Sequence, residues 1–312
     1  MTLSLKNPGV RAGLASALLF GASTPLAKPF AADFSPWLVA GFLYLGSGLG
    51  LYLFRALRGS WRLVLPRERR ASLYGAIFFG GLLAPVLLMY GLSSTAAADA
   101  SLLLNTEVVF TAVIAWFVFK ENFDRNILLG MIAIVLGAIL LSFGGDTWGS
   151  QLVPSLAVLG ACLCWGIDNN LTRNVSNGDA ASIASLKGLV AGPTNLSLAL
   201  LVGATMPPLQ SVATLMTMGF FCYGLSLVLF IIALRHVGTA RAGAYYSVAP
   251  FLGSLLAVLF GATITWQLVT AGVLMSIGVW LHLIEKHIHE HSHGDLVHSH
   301  PHFPDFQHRH RH

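Results

Sequence analysis

Only a few ionisable side chains interrupt the apolar runs of this 312-residue chain, and any chemistry inside those runs rests on them. Glu107 falls near the middle of one run, with Asn105 and Thr106 beside it. Asp168 stands with Asn169 and Asn170 toward the end of another run, and Lys187 lies at similar depth in the next. Holding a charge at the centre of a membrane helix costs about 2.5–3.5 kcal/mol on insertion scales. A carboxyl kept there at that cost is suited to titrate a proton or to bind a substrate ammonium. Glu107 is therefore the first candidate, with Asn105 as its polar neighbour. A pair between Asp168 and Lys187 cancels two desolvation costs and suits a gate or a substrate contact, with Asn169 adjoining. Tyr44, Trp116, Trp165, Tyr245 and Tyr246 offer rings to a pocket, Trp165 and Tyr245 first among them because they fall in or beside segments that repeat along the chain. Each residue also has a plainer role. Glu107 can be a protonated acid bonded between helices, and Asp168 and Lys187 a static pair near a span end. Rings of Trp and Tyr also gather at membrane interfaces.

A second constellation lies at the C-terminus. Residues 287–312 read HIHEHSHGDLVHSHPHFPDFQHRHRH and hold ten of the twelve histidines. His287, His289, His291 and His293 alternate with other residues, and His298, His300 and His302 follow in the same rhythm. Imidazoles in this number suit Zn, Ni, Co or Cu. Pro, Gly and charge in the segment point to a disordered tail that holds metal loosely, and no cofactor is required. The spans carry few metal ligands, which makes the tail an accessory rather than part of a metal path.

The elements that position these residues follow from composition. The chain is 55% hydrophobic and 10% charged, with a mean hydropathy of +0.72, whereas soluble domains carry about 25% charged residues. Ten apolar stretches, at about 9–28, 36–54, 73–92, 97–118, 127–144, 153–172, 182–203, 212–234, 240–261 and 266–284, are each near the roughly 20 residues that cross a bilayer. Continuous runs of that length predict helices rather than barrel strands. The N-terminal run is signal-like but is read as the first span. With the N-terminus in the cytoplasm, 16 of the 18 Lys and Arg residues fall on the cytoplasmic side. The positive-inside rule then places both termini inside, in a multi-pass inner-membrane protein. The net charge of +5 reflects this bias and not a nucleic-acid surface. Cys162, Cys164 and Cys222 lie in apolar runs and read as small core residues. Gly46, Gly48 and Gly50, then Gly130 and Gly137, then Gly272 and Gly278, mark close helix packing in lipid.

The chain also repeats itself. Residues 13–28 (GLASALLFGASTPLAK) lie over 158–173 (VLGACLCWGIDNNLTR), so that Phe20-Gly21 meets Trp165-Gly166. Residues 97–130 lie over 239–272, with Ala115 on Ala257 and Gly130 on Gly272. Five spans per copy forces the copies into opposite orientations, a signature of secondary transporters with a midplane site between repeats.

With these motifs the chain resembles the EamA-type carriers of the drug/metabolite transporter superfamily. The resemblance covers about residues 9–284 and rests on the small-residue-rich first helix of each repeat and on AAADASLLLNTEVVFTAVIAWFVFKENFDRNILLGMIAIVLGAIL. It implies an all-α membrane protein of ten helices in two inverted five-helix repeats, 1–145 and 150–285, followed by the tail 286–312. An acidic residue after the fourth helix of a repeat fits Glu121, whereas Thr263 replaces it in the second copy. The family's proline within the fourth helix appears as Pro250, whereas the first copy has Glu107-Val108 there. The resemblance implies a carrier of small organic metabolites, mostly exporting, with the bilayer and a small solute as partners and protons as a coupling candidate. The alternative is a divalent metal exporter whose tail collects the ion. No convergent nucleophile, acid and base or metal triad appears in the spans, so an enzyme is not expected.

Overall fold

The computed structural model of the chain describes residues 7–59, 70–119, 125–143, 151–173, 179–237, 245–283, 287–293 and 296–302. The apolar runs fold as helices, because in hydrocarbon every backbone polar group must find its partner within the segment. The first half holds α1 (Pro8–Asp33), α2 (Pro36–Leu57) and α3 (Arg70–Ala76). After α3 come a π-helical stretch at Ile77–Leu83 and α4 (Ala84–Ser94). α5 (Ala97–Leu103), α6 (Thr106–Phe119) and α7 (Arg125–Ser142) complete this half. The second half holds α8 (Leu152–Arg173), α9 (Ala180–Leu201) and α10 (Leu209–Met218). A second π-helical stretch at Gly219–Leu225 then leads into α11 (Ser226–Val237), followed by α12 (Ala249–Leu259) and α13 (Trp266–Leu283). Among the described residues, seven stretches are long and apolar enough to cross a membrane: Pro8–Asp33, Pro36–Leu57, Arg70–Ser94, Ala97–Val118, Arg125–Ser142, Leu152–Thr172 and Leu209–Phe230. α9 has the length and carries Lys187, while Ala249–Leu259 and Trp266–Leu281 are apolar but shorter.

The burial pattern is that of a protein in lipid. Leu128, Leu129, Ile132, Val135, Leu136 and Ile139 of α7 are exposed, whereas Ser16, Ser23, Thr24, Asn170, Ser185 and Asn195 are buried. Apolar atoms face outward and polar side chains meet inside, the reverse of the soluble rule. The three cysteines are free and buried, consistent with the core role read from the sequence.

The helices pack in matched pairs. α1 packs against α11 and α12, and α8 packs against α4 and α6 in the same relation. α2 meets α9 and α7 meets α13, so each of these helices faces its counterpart in the other half, and α5 meets α12, the counterpart of α6. The two π-helical stretches are separated by the same offset that lays residues 97–130 over 239–272. The duplication is therefore carried by backbone irregularities as well as by sequence.

The small residues do what their spacing predicts. A Cβ added at Gly188 would stand 2.5 Å from the Gly48 nitrogen and 2.6 Å from the Tyr44 carbonyl oxygen, so α9 and α2 touch backbone to backbone. A Cβ at Gly278 would stand 2.6 Å from the Gly130 carbonyl oxygen across the α7–α13 contact. Gly188→Leu should therefore force α2 and α9 apart. Overpacking costs about 1–3 kcal/mol even where side chains can yield, and here backbone must move. The expected outcome is loss of the monodisperse peak in detergent size-exclusion chromatography, with Leu198→Ala on an outward position as the unaffected control.

One helix end differs clearly from its expected span. α1 continues through Pro25 and Pro29 to Asp33, so Lys28 lies within the helix and not in a connection. Its Nζ donates to the Leu92 carbonyl oxygen at 2.7 Å and to that of Ser93 at 3.1 Å. A cation thus satisfies the last carbonyls of α4, where the helix dipole favours it. C-terminal to α13, β1 (His287–His293) and β2 (Leu296–His302) pair antiparallel. Glu121 and Arg241 lie outside the described residues.

Candidate functional site

The fourth apolar run is broken at its middle. α5 ends at Leu103 and α6 begins at Thr106, and the side chains at the break bond to the backbone. Asn105 Nδ2 donates to the Leu102 carbonyl oxygen at 3.0 Å, and Thr106 Oγ1 donates to that of Leu103 at 2.8 Å. Asn and Thr compete with the helical ladder in this way. The break leaves Glu107 in the first turn of α6.

Glu107 then meets α8. Asn169 Nδ2 donates to Glu107 Oε1 at 2.8 Å and lies 3.3 Å from Thr111 Oγ1. Asn170 Nδ2 ties the same two helices by donating to the carbonyl oxygens of Gly166 at 2.8 Å and Thr111 at 3.1 Å. One helical position round, Lys187 of α9 donates to Asp168 Oδ2 at 2.5 Å, and Thr172 Oγ1 donates to Asp168 Oδ1 at 3.0 Å. The Asp168 and Lys187 side chains are 8% and 17% exposed. At that burial the two charges must neutralise each other. The pair expected from sequence is thus formed, and it adjoins Glu107 through consecutive residues of α8.

The π-helical stretch 77–83 closes the site from the other side. Such a bulge releases carbonyls from the helical ladder and recurs at functional sites. Tyr44 Oη donates to the Gly80 carbonyl oxygen at 2.7 Å, and Trp165 Nε1 donates to the same oxygen at 3.2 Å. Asn195 Nδ2 donates to the Gly81 carbonyl oxygen at 3.3 Å. Gly80 sits directly against the Asp168 carboxyl, where any Cβ would collide with it. No side chain other than hydrogen fits this position.

Aromatic rings pack beside these residues. Phe20 lies 5.4 Å from Tyr246, 6.0 Å from Tyr223 and 6.5 Å edge-on from Trp165, measured between centroids. Tyr44 lies 5.6 Å from Tyr223, and Phe230 lies 4.8 Å from Tyr246. Phe20 and Tyr44 come from the first half, and Trp165, Tyr223, Phe230 and Tyr246 from the second. The arrangement therefore forms only when the two repeats meet. It offers a carboxyl, an amide, an ion pair and π-faces, a set that can bind a small amphipathic solute with a cationic group.

Glu107, Asp168, Asn169, Lys187 and Trp165 are brought together. Asn105 is buried beside the site but reaches Met275 Sδ of α13 at 3.9 Å rather than Glu107. Tyr245 packs against Gly13 and Ala233, in the small cluster around Val10, and its neighbour Tyr246 takes the place among the rings. Tyr44, one of the rings offered to a pocket, joins the site, and Thr111, Gly80, Phe20 and Tyr223 join it without having been selected as its residues. The match of Phe20 to Trp165 in the repeat was the signal for Phe20. Gly80 had none, because a helical irregularity leaves no composition mark. An open apolar furrow of about 480 Å³ lies elsewhere, between α5, α12 and α13, and is lined by none of these residues. Among the described residues, no group of three His, Cys, Asp or Glu stands together as metal ligands.

A second ion pair ties helix ends. The Arg55 guanidinium of α2 bonds the carboxylate of Asp179, the N-cap of α9. Asp179 also accepts from the Ala181 amide at 3.1 Å and from Ser182 Oγ at 3.0 Å. Partial burial alone raises this carboxyl, but the Arg55, Ser182 and Ala181 bonds outweigh it and hold the group below the usual carboxylate value. A carboxyl depressed in the folded state contributes stability above its unfolded value, about 3.9, and loses it as pH falls through the folded value. Asp179→Asn should thus lower the thermal midpoint at pH 7, with the difference from wild type closing below about pH 4. Detergent melts across pH measure it.

The comparisons with known proteins follow this geometry. The sequence pattern of the EamA-like transporter family matches residues 7–143 and again 153–284, one match per repeat. A protein of Methanothermobacter thermautotrophicus described as an uncharacterized transporter is 26% identical over 86% of this chain and 84% of its own length. The uncharacterized transporter YdfC of Bacillus subtilis is 34% identical over 35% of this chain and 39% of its own. A solved crystal structure superposes with a TM-score of 0.66 at 18% identity, covering 88% of this chain and 96% of that one, which supports the fold alone. Two family matches that divide the chain where its repeats divide make it a multi-pass membrane protein of the EamA-like transporter family.

Proposed function

We propose that the chain is a secondary carrier of a small amphipathic organic solute, an amino-acid-like compound or a drug, and that it works as an exporter. It crosses the inner membrane ten times as two inverted five-helix repeats, with both termini in the cytoplasm. Glu107 is the coupling or recognition group. Asp168 and Lys187 form the gate beside it, and Asn169, Trp165 and the rings around Phe20 contact the solute. The observation that carries this reading is the hydrogen bond of Glu107 to Asn169, placed beside a buried ion pair and aromatic rings from both repeats. A site where the two repeats meet is what alternating access requires. The alternative is a divalent metal exporter whose histidine-rich tail collects the ion.

Flux in proteoliposomes tests the reading. Amino acids and aromatic amines are offered against divalent metals, with full-length protein and a truncation after Glu285. Organic flux that survives truncation, without metal movement, is the expected result. Metal flux that the truncation abolishes would overturn it.

A further inference from the structure

The two halves share one plan, but their ends are not closed alike. α1 packs against α4, whereas among the described residues their counterparts α8 and α11 make no comparable contact. The burial of matched residues follows that difference. Ala27 of α1 and Leu88 of α4 are 0% and 1% exposed. Thr172 of α8 and Phe230 of α11, which the repeat places at the same positions, are only half-buried. One end of the bundle is closed, and the end that the repeat makes equivalent to it is parted.

The closed end carries a polar tie. Lys28 Nζ donates to the carbonyl oxygens of Leu92 at 2.7 Å and Ser93 at 3.1 Å. Both belong to the last turn of α4, which stops at Ser94, and carbonyls there have no partner within the helix. The overlay of residues 13–28 on 158–173 sets Arg173 on Lys28. The offset between the two π-helical stretches sets Leu234 and Arg235 of α11 on Leu92 and Ser93. α11 stops at Val237, so those two carbonyls also belong to a last turn. Each half thus pairs a cation near the end of its first helix with a helix end of unspent carbonyls.

We propose that Lys28 and Arg173 are alternating latches of the transport cycle. In the state seen here Lys28 holds α1 to α4, and the α8–α11 end stands open. In the opposite state Lys28 releases α4, and Arg173 donates to the carbonyl oxygens of Leu234 and Arg235 and holds α8 to α11. On the orientation proposed above, the closed end is external and the structure is the cytoplasm-facing state. Closure of one end at a time gives a carrier access to both sides without an open channel between them. The inference rests on the carrier reading but not on the identity of the solute.

Hydrogen exchange of the full-length chain in lipid nanodiscs, followed by mass spectrometry without solute, tests the latches. Lys28→Met removes a charge-assisted bond from the state seen here alone, and the balance of states should move about tenfold toward the opposite one. The expected result is faster exchange at 26–33 and 88–94 and, in the same variant, slower exchange at 167–173 and 230–237. Arg173→Met added to Lys28→Met should return both ends toward the wild-type pattern. Lys28→Gln, which keeps a single amide donor, should give the same reciprocal pattern at smaller size, and stands in if Lys28→Met does not fold. Faster exchange confined to 26–33 and 88–94, or no change at either end, would make Lys28 a static cap and overturn the proposal. A double variant no nearer to wild type than Lys28→Met would overturn it as well. Because no solute is present, failure here leaves the solute assignment standing, and a wrong solute leaves the latches standing.

Discussion

Glu107→Gln is expected to abolish the pH dependence of solute flux and to reduce flux itself about ten- to a hundredfold. The substitution keeps the shape and keeps an oxygen able to accept from Asn169 Nδ2, the bond now 2.8 Å long. It removes only the charge and the titrating proton. A hydrogen bond to a charged group is worth about 1.5–3 kcal/mol, which sets the size of the loss. If Glu107 merely held α6 against α8, the variant would fold and transport as before. Initial rates in proteoliposomes between pH 5.5 and 8.5 separate the two. A flat profile assigns the carboxyl to coupling, and an unchanged profile removes it from the mechanism.

Breaking the buried pair should have the largest effect on stability. Asp168→Asn leaves the Lys187 ammonium without its partner, and Lys187→Met does the same to the Asp168 carboxylate. Removing one member of a buried pair costs about 3–5 kcal/mol, while replacing both is often near neutral. For each single variant the melting midpoint in detergent should fall on the order of 10 °C. The double variant should recover most of that fall. Flux in the double variant then decides the role of the pair. A folded protein that no longer moves solute marks a gate or a contact, and full flux marks a static tie.

Much of this arrangement was legible from residue types. An acid in mid-span, an Asp and a Lys at matching depth in neighbouring runs, and small residues at helical spacing each have one inexpensive solution in hydrocarbon. The structure adopts it in each case. The Phe20 and Trp165 correspondence was visible as a repeat and became an edge-on ring contact. Asn105 and Tyr245 were chosen by proximity along the chain, and the structure puts their side chains toward Met275 and Gly13. A helical break turns successive residues to different neighbours, so adjacency in sequence did not carry over to adjacency in space.

Hydropathy and charge determined that the chain is a helical membrane protein and which charges must be buried, and the overlay of its two halves showed the duplication. They did so because the cost of polar atoms in lipid is large and local. Only the tertiary structure decided the rest. The interruption at Leu104 and Asn105, the π-helical stretch that turns the Gly80 carbonyl toward Tyr44 and Trp165, and the meeting of rings from two repeats all depend on contacts between distant segments. Backbone carbonyls are identical at every position. Which of them is released from its ladder, and what then binds it, is set by the partner helix and not by the residue that bears it.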